Sequence, residues 1–162
     1  LGADAGPTGG QCPGAQQHER PHDFAFDGFA DAGGVDDLTE LDRIAGDGDF
    51  MMSANEMATA AQYGLGVIVV VVDNGTFGTI RMHQEREYPT RVIATELKNP
   101  DFVKFAEAFG AFAVRCETTG DFPAALAAAR EAAASGRPAL VHLITDAEQI
   151  APGRTITDLR GG

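Results

Sequence analysis

The stretch "VIVVVVDNGTFG", residues 67–78, decides the fold class of this chain. Its first six residues are all β-branched and form a continuous apolar run, which is typical of a strand covered on both faces. Such strands occur in parallel sheets whose connecting helices pack on both sides. The run ends at Asp73 and Asn74, so polar side chains follow the carboxyl end of the predicted strand.

Three further segments are predicted to be strands of the same sheet. They are "DRIAG", "AFAVRCE" and "PALVHLIT", which cover residues 42–46, 111–117 and 138–145. The last two are short apolar runs that begin just after glycine or at proline. Because these segments alternate with helical patterns, we predict an α/β fold with a parallel sheet and helices on both faces.

Helix signals separate the predicted strands. Ser53 and Glu56 form an S-x-x-E pattern that predicts a capping box, with the helix stopping at Gly64. The Asn-Pro-Asp sequence that starts at Asn99 predicts the next helix, with Asn99 as its cap. Residues 121–136 are rich in alanine and predict a helix with a narrow apolar face.

The connection from Asp73 to Asn99 is unusually long. It has 27 residues, whereas the loop between a strand and a helix in such folds usually has about 2–6. Long loops in compact domains are usually functional or disordered. This one leaves the carboxyl end of a central strand, where open α/β sheets bind their ligands.

A second polar segment is expected at the same edge of the sheet. Asp47 lies between Gly46 and Gly48 and follows "DRIAG". Neighbouring parallel strands would bring Asp47 close to Asn74, and carboxylate and amide oxygens are ligands suited to Mg²⁺. Taken singly, each glycine-flanked segment is also an ordinary turn sequence. The pair, with one member after each strand, predicts a magnesium site that neutralises a bound diphosphate.

Composition excludes several classes of function. The chain has 162 residues, enough for one domain, with 44% hydrophobic and 22% charged residues. Its net charge of −12 argues against binding to nucleic acid or to an anionic membrane surface. No apolar run is long enough for a membrane span, and no signal peptide is recognised. Cys12 and Cys116 are far apart, so we expect no disulfide framework and a cytoplasmic location.

The first part of the chain follows different rules. Residues 1–45 carry nine acidic residues against two arginines, with eight glycines and three prolines. We therefore expect residues 1–43 to be an irregular acidic segment and residues 1–40 to be poorly ordered. The change in composition therefore places the end of the irregular segment at residue 43.

The segment from Gly46 to Ile80 resembles the thiamine-diphosphate motif, in which a GDG sequence is followed at a set distance by two asparagines. Here 24 residues separate Gly48 from Asp73. The chain is similar to the C-terminal diphosphate-binding domain of the acetolactate synthase, benzoylformate decarboxylase and pyruvate decarboxylase group. The resemblance extends through "RMHQEREYP", "NPDFVKFAEAFGA" and "GRPALVHLITD" and covers about residues 44–157. It implies a cofactor-binding domain at 44–157, after the irregular segment at 1–43 and before a tail at 158–162.

This resemblance implies the cofactors and their contacts. Side chains of Asp47 and Asn74 would bind Mg²⁺ together with the backbone carbonyl of Thr76. The cofactor-binding set for thiamine diphosphate would be Gly46, Asp47, Gly48, Asp49, Asn74 and Thr76. Asp73 stands where the family usually has the first asparagine. Since the ligand is the second position, Asn74, we expect metal binding to survive that change.

The resemblance also implies an activity that this chain does not complete. The substrate would be a 2-oxo acid, decarboxylated or passed to an acceptor in an oligomeric enzyme. A separate pyrimidine-binding domain, which supplies an activating glutamate in the family, is not recognised here, and the catalytic residues are unknown. A truncated or frame-shifted reading, or a split subunit, would explain the change near Arg43. The alternatives are a non-catalytic fragment or assembly subunit, and a Mg²⁺-dependent phosphatase using the Asp-Gly-Asp sequence.

Three single residues admit a functional and a structural interpretation. His83 lies in the long connection, where it would either touch substrate or be solvated, and the second is favoured. His142 lies in a predicted strand and is expected to be a packed or edge histidine. Cys116 is expected to be a small buried hydrophobic residue.

Overall fold

The core of the fold is a four-stranded sheet in which every pair of neighbouring strands is parallel. A computed structural model of the chain describes residues 41–151 and 154–160. The strands are β1 (Leu41–Gly46), β2 (Val67–Asp73), β3 (Phe112–Cys116) and β4 (Ala139–Ile144), in the spatial order β1-β2-β4-β3. The strands and the parallel sheet predicted from the sequence are confirmed.

Helices connect these strands, and a short hairpin follows them. The helices are α1 (Asp47–Ser53), α2 (Glu56–Tyr63), α3 (Gly78–Glu87), α4 (Phe102–Ala108), α5 (Phe122–Ala134) and α6 (Ile156–Arg160). A single 3-10 turn at Thr119–Asp121 precedes α5, and the hairpin pairs β5 (Gln149–Ala151) with β6 (Arg154–Thr155).

The sheet is covered on both faces, as the valine run predicts. On one face Val69 and Val71 of β2 join a core cluster with residues of α1, α2 and α4. On the other face Ile68 and Val70 join a cluster with the buried alanines of α5. Because successive strand residues point to opposite faces, both sets of β2 side chains are removed from water.

The predicted helix starts are wrong in two places. Ser53 ends α1 instead of capping α2, and the Glu56 carboxylate accepts a hydrogen bond from the Thr59 hydroxyl at 2.9 Å, so no capping box forms. The cap of α4 is Asp101, whose carboxylate accepts from the Lys104 N–H at 3.2 Å. Asn99 lies two residues earlier, and its side chain is used elsewhere.

The long connection after β2 is not structureless. It contains α3, a helix of 10 residues. The helix was not predicted because its sequence, GTIRMHQERE, is mostly polar and has no apolar period. The remainder, residues 88–99, returns along the loop that follows β2, where Thr76 and Glu96 form an isolated antiparallel bridge.

The predicted domain limits at residues 43 and 157 both fall inside secondary-structure elements. The first strand begins at Leu41, inside the segment 1–43 that was predicted to be irregular, and α6 crosses the predicted limit at 157. The expectation of poor order for residues 1–40 lies outside the described residues. No helix within 41–151 or 154–160 is long and apolar enough to cross a membrane.

Candidate functional site

The pairing of β1 with β2 brings the two predicted polar segments together. Gly46 lies opposite Val72, so Asp47 and Asp73 follow at the same edge of the sheet. Asp47 is 3% exposed. Its Oδ1 accepts from the Gly48 N–H at 2.9 Å, and its Oδ2 accepts from the Gly75 N–H at 3.0 Å. The juxtaposition expected from parallel strands is therefore present.

The loop that follows β2 is held by hydrogen bonds within the loop and to the carbonyl of Thr95. The Asn74 side-chain oxygen accepts from the Thr76 N–H at 3.1 Å, and the buried Thr76 hydroxyl donates to the Thr95 carbonyl at 2.7 Å. The Phe77 N–H also donates to the Thr95 carbonyl, at 2.8 Å. Gly75 has a positive φ of 66°, a conformation that glycine adopts without strain. Together these contacts hold the Asn74 side-chain oxygen and the Thr76 hydroxyl in place.

Asn99 completes the site, although sequence reasoning assigned it to a helix cap. Its Nδ2 lies 2.6 Å from Asp47 Oδ2 and 2.8 Å from Asp73 Oδ1. The sequence offered one indication of this role, because Asn99 is the last residue of the long connection that begins at Asp73. Its partners lie 52 and 26 residues away along the chain, so no local pattern indicates them.

A buried histidine holds the other side of Asp73. His142 Nε2 lies 2.8 Å from Asp73 Oδ2, and the His142 ring packs edge-on against Phe102 with centroids 5.1 Å apart. His142 is 3% exposed, so the expectation of a packed histidine is confirmed. Because an ionised carboxylate only accepts, the hydrogen is assigned to Nε2. The partnership with Asp73 was not predicted.

The two acids are shifted in opposite directions. Burial raises the pKa of Asp47, and the proximity of Asp73 acts in the same direction. Burial would also raise the pKa of Asp73, but hydrogen bonds, first that from His142, outweigh it and lower the pKa. Asp73 is therefore the member of the pair that retains its charge more firmly.

The glycines beside Asp47 have different surroundings. A Cβ at Gly46 would meet no atom within 4 Å, so that position faces open space. A Cβ at Gly48 would lie 2.5 Å from the Phe77 ring, so Gly48 is required for packing within the protein. The Gly48 N–H is bonded to Asp47. Asp49, another member of the predicted cofactor-binding set, lies in the first turn of α1, where backbone N–H groups have no partner within the helix.

The oxygens at this edge fit a magnesium ion. Asp47 Oδ1 and Asn74 Oδ1 each accept a single hydrogen bond. Among backbone bonds of described residues outside helices and strands, none ends on the Thr76 carbonyl. Carboxylate, amide and carbonyl oxygens are the ligand types that Mg²⁺ takes alongside water and phosphate. In the described residues no group of three or more His, Cys, Asp or Glu is arranged to hold a metal ion.

The other two single residues differ in exposure, and the choice between a solvated and a substrate-contacting His83 stays a prediction. His83 is exposed on α3, and its Nδ1 lies 2.7 Å from a guanidinium nitrogen of Arg86. Cys116 is 2% exposed, and burial raises the pKa of its thiol, so the prediction of a buried hydrophobic residue is confirmed.

The sequence profile described as "Thiamine pyrophosphate enzyme, C-terminal TPP binding domain" matches residues 20–143. The chain belongs to this family. The match replaces the phosphatase alternative and confirms the resemblance inferred from the GDG segment. It begins at residue 20, before the predicted domain start at residue 44, and that domain limit stays a prediction.

The relatives include acetolactate synthases. The chain is 38% identical over 114 residues to acetolactate synthase of Mycobacterium avium, a match that covers 67% of this chain and 18% of that protein. It is 32% identical over 121 residues to a probable acetolactate synthase large subunit of Methanocaldococcus jannaschii, covering 72% and 20%. The chain therefore spans about a fifth of the length of these relatives.

The fold is shared with solved decarboxylases. Benzoylformate decarboxylase from Polynucleobacter necessarius aligns with a TM-score of 0.59 at 26% identity, covering 67% of this chain and 20% of that one. The thiamine diphosphate-dependent 4-hydroxybenzoylformate decarboxylase of Rhodococcus jostii RHA1 gives the same TM-score and identity, covering 66% and 20%. These similarities confirm the predicted α/β fold class.

Proposed function

We propose that this chain is the Mg²⁺- and thiamine-diphosphate-binding C-terminal portion of an acetolactate-synthase-like 2-oxo-acid decarboxylase or carboligase. Mg²⁺ would be held by the side chains of Asp47 and Asn74 and the carbonyl of Thr76. The diphosphate would lie over the start of α1, between the open position at Gly46 and the Asp49 N–H. These are the contacts that the family resemblance implies for this chain.

The observation that carries the proposal is the convergence at Asp47. A buried carboxylate that follows β1 accepts from the Gly75 N–H, in the loop after β2 that also carries the Asn74 amide oxygen and the Thr76 carbonyl. Bringing a diphosphate to a chain of net charge −12 requires neutralisation. A divalent ion at this site supplies it.

The remainder of the enzyme is proposed from the relatives. When bound, thiamine diphosphate supplies the electron sink for decarboxylation, and protein groups bind and orient it. This chain would provide the metal and diphosphate end. The pyrimidine end would be held by a pyrimidine-binding domain of another chain or another part of the gene, in an oligomer. We propose a 2-oxo acid as substrate, and the cytoplasm as the compartment because the two cysteines are far apart in sequence.

Calorimetry tests the site. Thiamine diphosphate is titrated into the full chain with Mg²⁺ and with EDTA, and we expect binding only with the metal. Asp47→Ala should abolish that binding, because Asp47 is the only charged ligand proposed for the ion. Glu107→Gln removes an exposed acid on α4 and serves as the matched control. Unchanged affinity in Asp47→Ala with Mg²⁺ would show that the site is assigned to the wrong residues.

A second candidate is a non-catalytic fragment or assembly subunit. The observation in its favour is coverage, since the chain spans only about a fifth of its relatives' length. The same calorimetry separates the two: a chain that serves only in assembly binds no thiamine diphosphate in either condition.

A further inference from the structure

Both hydrogens of the Asn99 amide nitrogen are directed to carboxylates. Nδ2 lies 2.6 Å from Asp47 Oδ2 and 2.8 Å from Asp73 Oδ1. An amide nitrogen has two hydrogens to donate and accepts none, so these two bonds use its whole capacity. Asn99 therefore bridges the same two carboxylate oxygens that the Gly75 N–H also contacts, and it is the side chain that joins them.

This bridge determines which oxygen of Asp47 remains available. A carboxylate has about four acceptor positions, two on each oxygen. The Gly75 N–H and Asn99 occupy Oδ2, and the Gly48 N–H occupies one position on Oδ1. One position on Oδ1 is left, so Asp47 can offer a metal ion a single oxygen in a fixed direction.

Both carboxylate oxygens of Asp73 are also occupied by hydrogen bonds, so Asp73 is not the acid proposed to bind the metal ion. Its Oδ1 accepts from the Gly75 N–H at 2.9 Å and from Asn99, and its Oδ2 faces His142 Nε2. Three donors therefore contact Asp73, and two of them, the Gly75 N–H and Asn99, are shared with Asp47. His142 Nδ1 is buried and has no hydrogen-bond partner in the described part of the chain, so Asp73 is the polar anchor of that ring.

We propose that Asn99 is a positioning residue for the metal site. It donates to Oδ2 of Asp47 and to Oδ1 of Asp73, offsets the repulsion between the two neighbouring carboxylates, and leaves Asp47 Oδ1 as the oxygen that would bind Mg²⁺. The proposal rests on the proposed function, because it requires the ion to bind at Asp47. It goes beyond that function because Asn99 is not among the residues proposed to bind the ion or the cofactor.

The test uses Mn²⁺ as the probe, with free and bound ion measured by electron paramagnetic resonance. We expect Asn99→Ala to weaken Mn²⁺ binding by about 10–100-fold, the usual effect of removing a residue that orients a metal ligand. Asn55→Ala is the matched control, since Asn55 is exposed and its side chain makes no cap hydrogen bond. Wild-type affinity in a folded Asn99→Ala would overturn the proposal.

A double variant separates bridging from a general loss of order. Asp73→Asn keeps the shape of the side chain and removes its charge. If Asn99 offsets the repulsion between two neighbouring carboxylates, Asn99→Ala/Asp73→Asn should bind Mn²⁺ several-fold more tightly than Asn99→Ala alone. A merely structural role for Asn99 would give no recovery, and that result would overturn the bridging role. Equal Mn²⁺ binding by Asp47→Ala and the wild type would instead remove the proposed function itself.

A measurement on the unsubstituted chain covers the case in which Asn99→Ala fails to fold. By nuclear magnetic resonance, the side-chain NH₂ hydrogens of Asn99 should exchange with water more slowly than those of Asn55. Their signals should also shift when Mg²⁺ is added, because Asp47 shares its charge with the ion. Exchange as fast as in Asn55, with no shift on adding Mg²⁺, would overturn the proposal.

Discussion

At the scale of single residues, Gly48 is constrained by its contact with Phe77. A methyl group at position 48 would lie 2.5 Å from one ring carbon of Phe77 and 2.9 Å from another. We predict that Gly48→Ala lowers the free energy of unfolding by about 1–3 kcal/mol, the usual cost of overpacking. Urea denaturation of the full chain measures it.

Two further variants identify the cause. Gly46→Ala is the matched control, because Gly46 has an ordinary φ of −69° and a Cβ there would meet nothing within 4 Å. It should stay within about 0.5 kcal/mol of the wild type. Gly48→Ala/Phe77→Leu should recover part of the loss. Equal changes in the free energy of unfolding for Gly46→Ala and Gly48→Ala would show that contact with Phe77 is not the cause.

How far the site was predictable depends on where the partners lie in sequence. Asp47 and Asn74 each follow a predicted strand, so the parallel sheet alone indicates that they meet. Asn99 and His142 contact Asp73 from 26 and 69 residues away. Their contacts with Asp73 depend on tertiary packing. In sequence, a histidine in a strand more often indicates a packed side chain, and an asparagine before proline more often indicates a helix cap.

At the scale of elements, an ion pair between a buried glutamate and a half-buried arginine joins α3 to α6. The Glu85 side chain is fully buried, and the Arg160 guanidinium contacts both of its carboxylate oxygens, with Nε 3.0 Å from Oε2. Glu85 also accepts from the Thr90 N–H at 2.8 Å. Arg160 first, and then Thr90, lower the pKa of Glu85 from 4.5 to about 2.

This pair predicts a pH-dependent stability. Because the folded pKa is below the ordinary value, the stabilisation is fully present above pH 4.5 and is lost as the pH falls toward 2. Glu85→Gln should therefore be less stable than the wild type at pH 7, and the gap should narrow between pH 4.5 and 2. Urea midpoints across that range measure it. Glu87→Gln, in an exposed pair, should show no such gap, and a constant difference for Glu85→Gln would contradict the assignment.

The helix α5 packs on the sheet through alanines. Ala125, Ala129 and Ala133 are buried at every fourth position, and Ala129 is 0% exposed. We predict that Ala129→Leu lowers the free energy of unfolding by about 1–3 kcal/mol, since the added carbons have no space. Ala127→Leu, on the exposed face, should be close to neutral. Thermal denaturation compares the two, and equal stability would mean that the helix can move away from the sheet.

The elements themselves were predicted to different degrees. The strands and α5 follow from apolar runs and alanine spacing, which are local properties of the sequence. The helix α3 was missed because only one of its residues, Glu85, is buried, so burial leaves no periodic signal. Its position is instead fixed by ion pairs with the C-terminal segment, from Arg81 to Glu148 and from Glu85 to Arg160.

At the scale of the whole molecule, we predict that the purified chain alone does not decarboxylate 2-oxo acids, even with saturating Mg²⁺ and thiamine diphosphate. The proposed contacts hold only the diphosphate end of the cofactor. The family resemblance assigns the activating glutamate to a facing domain, and a positioned acid–base group typically contributes about 10²–10⁴-fold to the rate. The measurement is CO₂ release from pyruvate and from benzoylformate.

The control is the same assay with a separately expressed pyrimidine-binding domain, which should raise CO₂ release if it completes the site. Asp47→Ala in that mixture should remove the gain. Turnover by the chain alone would place the missing catalytic group within these 162 residues.

The pairing of Gly46 with Val72 makes the metal site a reporter of correct folding. In the described sheet β1 is an edge strand with one neighbour, so its alignment depends on β2 alone. A slip of one residue would carry Asp47 about 3.3 Å along the sheet, away from the Gly75 N–H and Asn99. Such a misaligned chain could keep its helices and strands, so its circular dichroism spectrum would match that of the correctly folded chain. It would still fail to bind Mn²⁺. The fraction of refolded chains that bind Mn²⁺ therefore measures correct strand alignment, which spectra of secondary structure do not detect.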